Sequence, residues 1–319
     1  VVTAATGSVG DGLLKAANGD TTPVEQRLNE FWKDNATHNI FEGYLNHSLI
    51  QYIQLVNGGL IPRWESCPYS PMHHTMATAF EWLMPQFYDF KGLLDKRIHF
   101  EEIPELINTS NSPVLLIGAA DVLSGKFTIF NSHYKNGNKH KNGIKVDMIL
   151  ASAAVPSISK AVEVDNRAYW DGLFSDNPPT DELVNYEKVG EHRLPDQIWV
   201  IQINPNERKS IPQTAEEIID RRNEMIGNES LFHDLNHICR INKMIRRDAF
   251  KAGYQKEHHL KLVDIYIIQM SPSLQERLDY ASKLDRNKRY IEMLMADGER
   301  QGRAFLEDPE SMRYGDEDC

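Results

Sequence analysis

The chain has 319 residues, with 46 acidic side chains against 35 lysines and arginines and a formal net charge of −11. That length suffices for one large α/β domain or two smaller ones around a packed core. The acidic balance speaks against a nucleic-acid-binding face, because phosphate recognition needs a dense basic patch.

The one lysine-rich stretch, "HYKNGNKHKNGIK" from His133 to Lys145, is interleaved with Gly and Asn and reads as a solvated loop. Cys67, Cys239 and Cys319 are scattered and odd in number, so they form neither a disulfide framework nor a CxxC metal knuckle. A reducing compartment is the default, and with it a cytoplasmic or peripheral-membrane location. No run approaches the ~18 consecutive apolar residues that a membrane span needs. The first residues, "VVTAATGSVGDG", carry neither an initiator Met nor the basic start of a signal peptide, so the chain is expected to begin mid-protein.

In chain order, "TTPVEQRLNEFWKDN" predicts a helix. Thr22 is its cap, Pro23 its first residue, and Glu25 follows the cap by three, with Val24, Leu28, Phe31 and Trp32 on one side. Asn57 to Pro71 reads as a long surface connection, a lid or an insertion. Pro113 to Asn131 predicts two strands around a turn at Asp121 to Gly125. "KVDMILASAAVP" predicts a short helix stopped by Pro156. "KAVEVDNRAYWDG" alternates around Asp165 and Asn166 as a hairpin does.

"DQIWVIQIN", Asp196 to Asn204, is nearly continuously apolar, which predicts a strand covered on both faces within a central sheet. Thr214 and Glu217 form a capping box for a helical region with Leu231, Leu235, Ile238 and Ile245 at helical spacing. Leu262 to Met270 is a second buried-type strand, and Ser273 with Glu276 opens a further polar helix. The terminal "EDPESMRYGDEDC" has the composition of a disordered tail. Strands and helices interleave without repeats, which predicts an α/β domain over 1–270 and a helical extension over 271–319 with an acidic tail.

Several clusters have ordinary explanations. His233 and His237 share a helix face, but the HExxH glutamate is missing and no third ligand is evident, so no metal is expected. His73–His74 and His258–His259 lie in polar surroundings and are expected at the surface. "TGSVGDG", Thr6 to Gly12, is a near miss to G-x-S-x-G, with Thr6 at the first glycine position. That motif exposes a serine oxygen on a sharp strand-to-helix turn. Ser8 is therefore a candidate nucleophile, set against a plain Gly/Ser-rich loop.

"ASAAVP", the hairpin "AVEVDNRAYWDG" and "NPP" follow one another within about thirty residues and together resemble the catalytic block of patatin-like phospholipases. "LNEFW", "AADVLSGKFTIF", "DQIWVIQINPNERKSIPQTAEEIIDRRNEM" and "NESLFHDLNHI" extend the likeness over most of Leu28 to Ile245. The resemblance implies a three-layer α/β fold, a central sheet flanked by helices, and a Ser–Asp dyad in which Asp171 is the base. It implies a lipid ester as substrate, met at a membrane surface, with no metal or organic cofactor. A carboxylate can replace histidine as base when partial burial raises its pKa.

Two departures open alternatives. Leu173 stands where the family has Gly or Ala, and a positive φ there would strain it. "VVTAATGSVGDGL" also looks like the helix that follows the family's nucleophile. This places the serine upstream of Val1 and makes this chain an inactive fragment. Ser8 as nucleophile is the second reading. A non-catalytic lipid- or protein-binding module is the third.

Overall fold

The computed structural model describes residues 9–10, 12–13, 15–16, 19, 22–61, 67, 69–72, 75, 78, 89–106, 113–132, 143–156, 159–174, 178–279 and 281–315. Ser8, His73, His74, Asn177 and most of the lysine-rich stretch lie outside them. The chain divides into two compact units, Val1–Asp176 with Leu284–Ile291, and Asn177–Lys283 with Glu292–Cys319.

In the first unit, helix α1 (Val24–Asn35) has Pro23 rather than Thr22 at its cap position, without a side-chain cap bond. Its apolar side carries fully buried Phe31 into a core with Leu94, Phe130, Met148 and Ile149. Helix α2 (Ile40–Asn57) is capped by Asn39, whose side chain accepts from the Glu42 amide at 2.9 Å. Helix α3 (Phe90–Arg97) is tied to α1 by Arg97, which donates to Asp34 at 2.7 Å and to Glu30 at 2.5 Å.

A four-stranded antiparallel sheet follows, built from β1 (Leu116–Asp121), β2 (Phe127–Asn131), β3 (Val162–Val164) and β4 (Arg167–Asp171), in the order β2-β1-β4-β3. Both expected turns are present. The Asp121 carboxylate accepts from the Leu123 and Ser124 amides at 3.0 Å, and Gly125 takes φ of 67° to close the β1–β2 hairpin. Asp165 and Asn166 have φ of 47° and 62°, the paired left-handed conformation of a two-residue hairpin turn. Helix α4 (Val146–Ser152) packs on the sheet and ends at Ala153, earlier than expected. Pro156 has no N–H with which to extend its ladder.

The second unit contains β5 (Gln197–Gln202), helix α5 (Ala215–Arg246), β6 (Asp264–Gln269) and most of helix α6 (Lys288–Glu307). β5 and β6 pair in parallel, with Ile198 opposite Ile265 and Val200 opposite Ile267. This two-stranded sheet is separate from the four-stranded one among the described residues, where the sequence predicts one central sheet. β5 also alternates strictly between exposed and buried, against the expectation of cover on both faces. Ile198 and Val200 pack on Leu231, Leu235 and Ile238 of α5. Ile201 on the opposite face is 77 % exposed, because α5 covers one side only.

The α5 capping box forms as predicted. The Glu217 amide donates to Thr214 Oγ1 at 3.2 Å, and the Thr214 amide to Glu217 Oε2 at 3.3 Å. Buried Asn242 holds the entry to β6, donating to the Val263 carbonyl at 2.8 Å and accepting from its amide at 3.1 Å. Arg208 spans two buried carboxylates, Asp220 at 2.7 Å and Glu224 at 2.6 Å, which fixes the loop between β5 and α5.

Three further expectations need correcting. Ser271, not Ser273, caps the helix there, and that helix is a single turn, Pro272–Gln275, because the following residues run into a second short turn at Ala281–Leu284. The tail is docked as far as it is described: Arg313 pairs with Asp264, and the Tyr314 amide donates to the Ile265 carbonyl at 2.8 Å. An aromatic ring and a guanidinium that bridges Asp264 and Glu310 outweigh the polar composition of that segment. Finally, Cys239 is buried and disulfide-bonded, whereas Cys67 is a free, exposed thiol.

Candidate active site

Asp171 is the last residue of β4, opposite Ala119 of β1. The strand alternation places Tyr169 and Asp171 on one side and Trp170 on the other. Tyr169 is buried edge-on against Phe130, with ring centroids 5.3 Å apart. Asp171 therefore sits at the end of a core-facing row. Its amide donates to the Ala154 carbonyl at 3.0 Å, which brings the "ASAAVP" segment beside it. Its Oδ1 accepts from the Leu173 amide at 2.9 Å. The carboxylate is half-buried. Burial raises its pKa above the ordinary 3.8, and the Leu173 N–H and the positive charge of the chain's N-terminus oppose that rise without cancelling it.

The glycine after Asp171 has a steric reason. A Cβ on Gly172 would stand 2.9 Å from the Gly118 carbonyl oxygen and 3.0 Å from its carbon, so the backbones of β1 and the turn approach as only glycine permits. Leu173 lies in a short 3-10 turn, Gly172–Phe174, and does not have a positive φ. The strain that would mark this position as degenerate is absent. The Trp170 indole N–H, buried on the opposite side, has no hydrogen-bond partner among the described residues.

Ser8, the nucleophile candidate of this chain, lies outside the described residues. Gly118 and the Ala154 carbonyl complete the surroundings of Asp171. The signal for Gly118 is the small-residue run "GAAD" in β1, which allows a close neighbour.

The histidines lead elsewhere. His233 and His237 line a cavity of about 300 Å³ with Asn236, Arg240 and Ile241. His237 also borders a second cavity of about 300 Å³, reached by Asp181, Lys261 and His259. His258 is exposed as expected, but His259 is half-buried against Tyr186 at 4.4 Å and has φ of 52°. Among the described residues no group of three His, Cys, Asp or Glu side chains could hold a metal ion.

The patatin-like phospholipase family model matches residues 12–184, over half of the chain. The chain belongs to the patatin-like phospholipase family. The matched range contains the whole Asp171 site with β1 to β4, and it starts beyond Ser8. The likeness read in "DQIWVIQINPNERKSIPQTAEEIIDRRNEM" and "NESLFHDLNHI" falls outside it. No curated protein matches the sequence.

Proposed function

We propose that the protein is a lipid acyl hydrolase that cleaves fatty-acyl esters of phospholipids or neutral glycerolipids, with Asp171 as the base of a Ser–Asp dyad. One observation carries this reading. Within the family-matched range, a carboxylate sits at the end of a core-facing row, held by one amide and raised in pKa by burial. A structural aspartate is usually paired or solvated, whereas a base needs an available oxygen and a proton affinity above that of a free carboxylate.

In this mechanism the serine oxygen attacks the acyl carbonyl carbon as its proton passes to Asp171. The tetrahedral adduct collapses to an acyl-serine, and the leaving alcohol takes that proton. Water then attacks the acyl carbon, gives its proton to Asp171, and the fatty acid departs as the proton returns to the serine. The base acts in its ionised form, so the rate rises with pH through the raised pKa of Asp171.

The test is acyl-ester turnover by the full-length gene product beside Asp171→Asn, with fluorophosphonate labelling and mapping of the labelled peptide. The expected result is a loss of at least 100-fold in kcat, a typical general-base contribution. Equal rates would remove Asp171 from the mechanism, and a label on Ser8 would identify the nucleophile within this chain.

A further inference from the structure

Helix α2 (Ile40–Asn57) has an unusual makeup for a surface element. Ten of its eighteen residues are apolar or aromatic, and Glu42 is its only charged one apart from the titratable His47. Yet its one buried residue is Asn46. Ile40 is 93 % exposed, Tyr44 67 % and Phe41 56 %, and Tyr52 and Leu55 are also exposed.

These side chains are not scattered. At about 100° per residue, Ile40, Tyr44, Leu55, Phe41 and Tyr52 fall within an arc of about 120°. Asn46 lies on the opposite side of the helix and is the anchor. It donates to Asp285 at 2.6 Å and accepts from the Arg286 amide at 3.1 Å. Arg286, whose pKa burial lowers to about 10, donates to the Asn35 carbonyl at 2.6 Å just before the helix begins. Glu42 points away from the arc and is used at the N-terminus, where it accepts from the His38 amide and the Asn39 side chain. The helix is thus held through Asn46 on its back, where Leu49, Ile50 and Ile53 are half-buried, and presents an uncharged, largely apolar front about 27 Å long.

We propose that this front is the surface by which the protein docks on a neutral lipid interface. The proposal rests on the lipid acyl hydrolase reading for its biological sense. The occupant follows from the chemistry of the arc. It carries no charge with which to select a protein partner, and two tyrosines put an apolar ring beside a polar tip, as the headgroup boundary of a bilayer favours. No described helix is long and apolar enough to cross a membrane, so α2 lies on the surface. With no Lys or Arg on the helix and a net charge of −11, an anionic surface would repel the protein. The fit is to phosphatidylcholine or an oil surface, with little salt dependence.

The experiment measures flotation of the full-length protein with phosphatidylcholine vesicles, beside hydrolysis of a soluble short-chain ester. Ile40→Ser combined with Tyr44→Ser is expected to weaken vesicle binding at least tenfold and leave soluble-ester turnover unchanged. Gln51→Leu, which fills a polar gap in the arc, is expected to tighten binding about threefold with an unchanged thermal unfolding midpoint, which separates the gain from exposure of a misfolded core. Binding by the wild type should hold as NaCl rises to about 0.5 M, where surface electrostatics are screened. Failure of the wild type to float, or unchanged flotation of both variants, overturns the proposal. So does a wild-type dimer that the serine variant converts to monomer, since the arc would then face a second copy. Vesicle binding without ester turnover would keep the docking surface and reject the hydrolase reading.

Discussion

β1 in the four-stranded sheet buries five of its six residues, whereas β5 in the two-stranded sheet exposes every second side chain. β1 runs between β2 and β4 with helix α4 against it, so neighbours reach it from both edges and a face. β5 has one neighbouring strand, and its buried residues all pack toward α5. Each strand carries four apolar side chains among its six residues, yet one is almost wholly buried and the other only half so. Burial here follows from what is stacked on each face, and the residue types only permit it.

The largest effect that sharpens this contrast is expected within β5 itself. Ile198→Ala should lower stability by about 2–4 kcal/mol in urea unfolding, the cost of a cavity in the α5-facing core. Ile201→Ser, three residues along on the open face, should change it by no more than about 0.5 kcal/mol. Equal losses at the two positions would show that both faces are covered and would break the comparison.

A smaller effect is expected at the crowded end of the other sheet. Gly172→Ala drives a methyl group against the Gly118 carbonyl and should cost about 1–3 kcal/mol by thermal unfolding. Gly298→Ala in α6 meets nothing within 4 Å. It should instead stabilise by about 0.5–1 kcal/mol through helix propensity. If Gly172→Ala proves neutral, β1 and β4 can part without cost, and the close approach does not position Asp171.

The smallest effect concerns Asp171, and its sign is the informative part. Burial holds the folded-state pKa above the unfolded value of 3.8, so the native state binds the proton more tightly. Between those two pKa values stability falls as pH rises, and above the folded one the loss is complete. Asp171→Asn removes the penalty and keeps an acceptor for the Leu173 N–H. The variant should therefore have the higher Tm at neutral pH, with the gain vanishing below 3.8. A lower Tm at neutral pH would mean that the ionised carboxylate is stabilising, as a structural ion pair would be.

Local signals in the chain carried much of this molecule. The Asp121–Gly125 and Asp165–Asn166 turns were legible because a short side chain or a glycine is needed where φ turns positive or an amide needs an acceptor. The Thr214–Glu217 box was legible because its two bonds depend only on residues three apart. The "DG" of Asp171 and Gly172 stood out for its aromatic neighbours and its place after "ASAAVP", and it lies inside the family-matched range. Helix α2 is visible as eighteen residues with one charge in a chain that is 25 % charged, but the outward turn of its apolar side is not.

By itself, then, the sequence determined the features that span a few residues: turns, caps, strand runs, and the aspartate with its glycine. Tertiary structure alone decided which face of β5 is covered and that the polar tail docks through Arg313 and Tyr314. It also decided that Gly172 must yield to Gly118 and that α2 shows its apolar side outward. The physical reason is range. A turn or a cap is closed by bonds between neighbours in the chain, whereas burial and close approach are set by residues far away in sequence. Residue 314 reaches residue 265, and residue 286 reaches residue 46, only once the chain is folded.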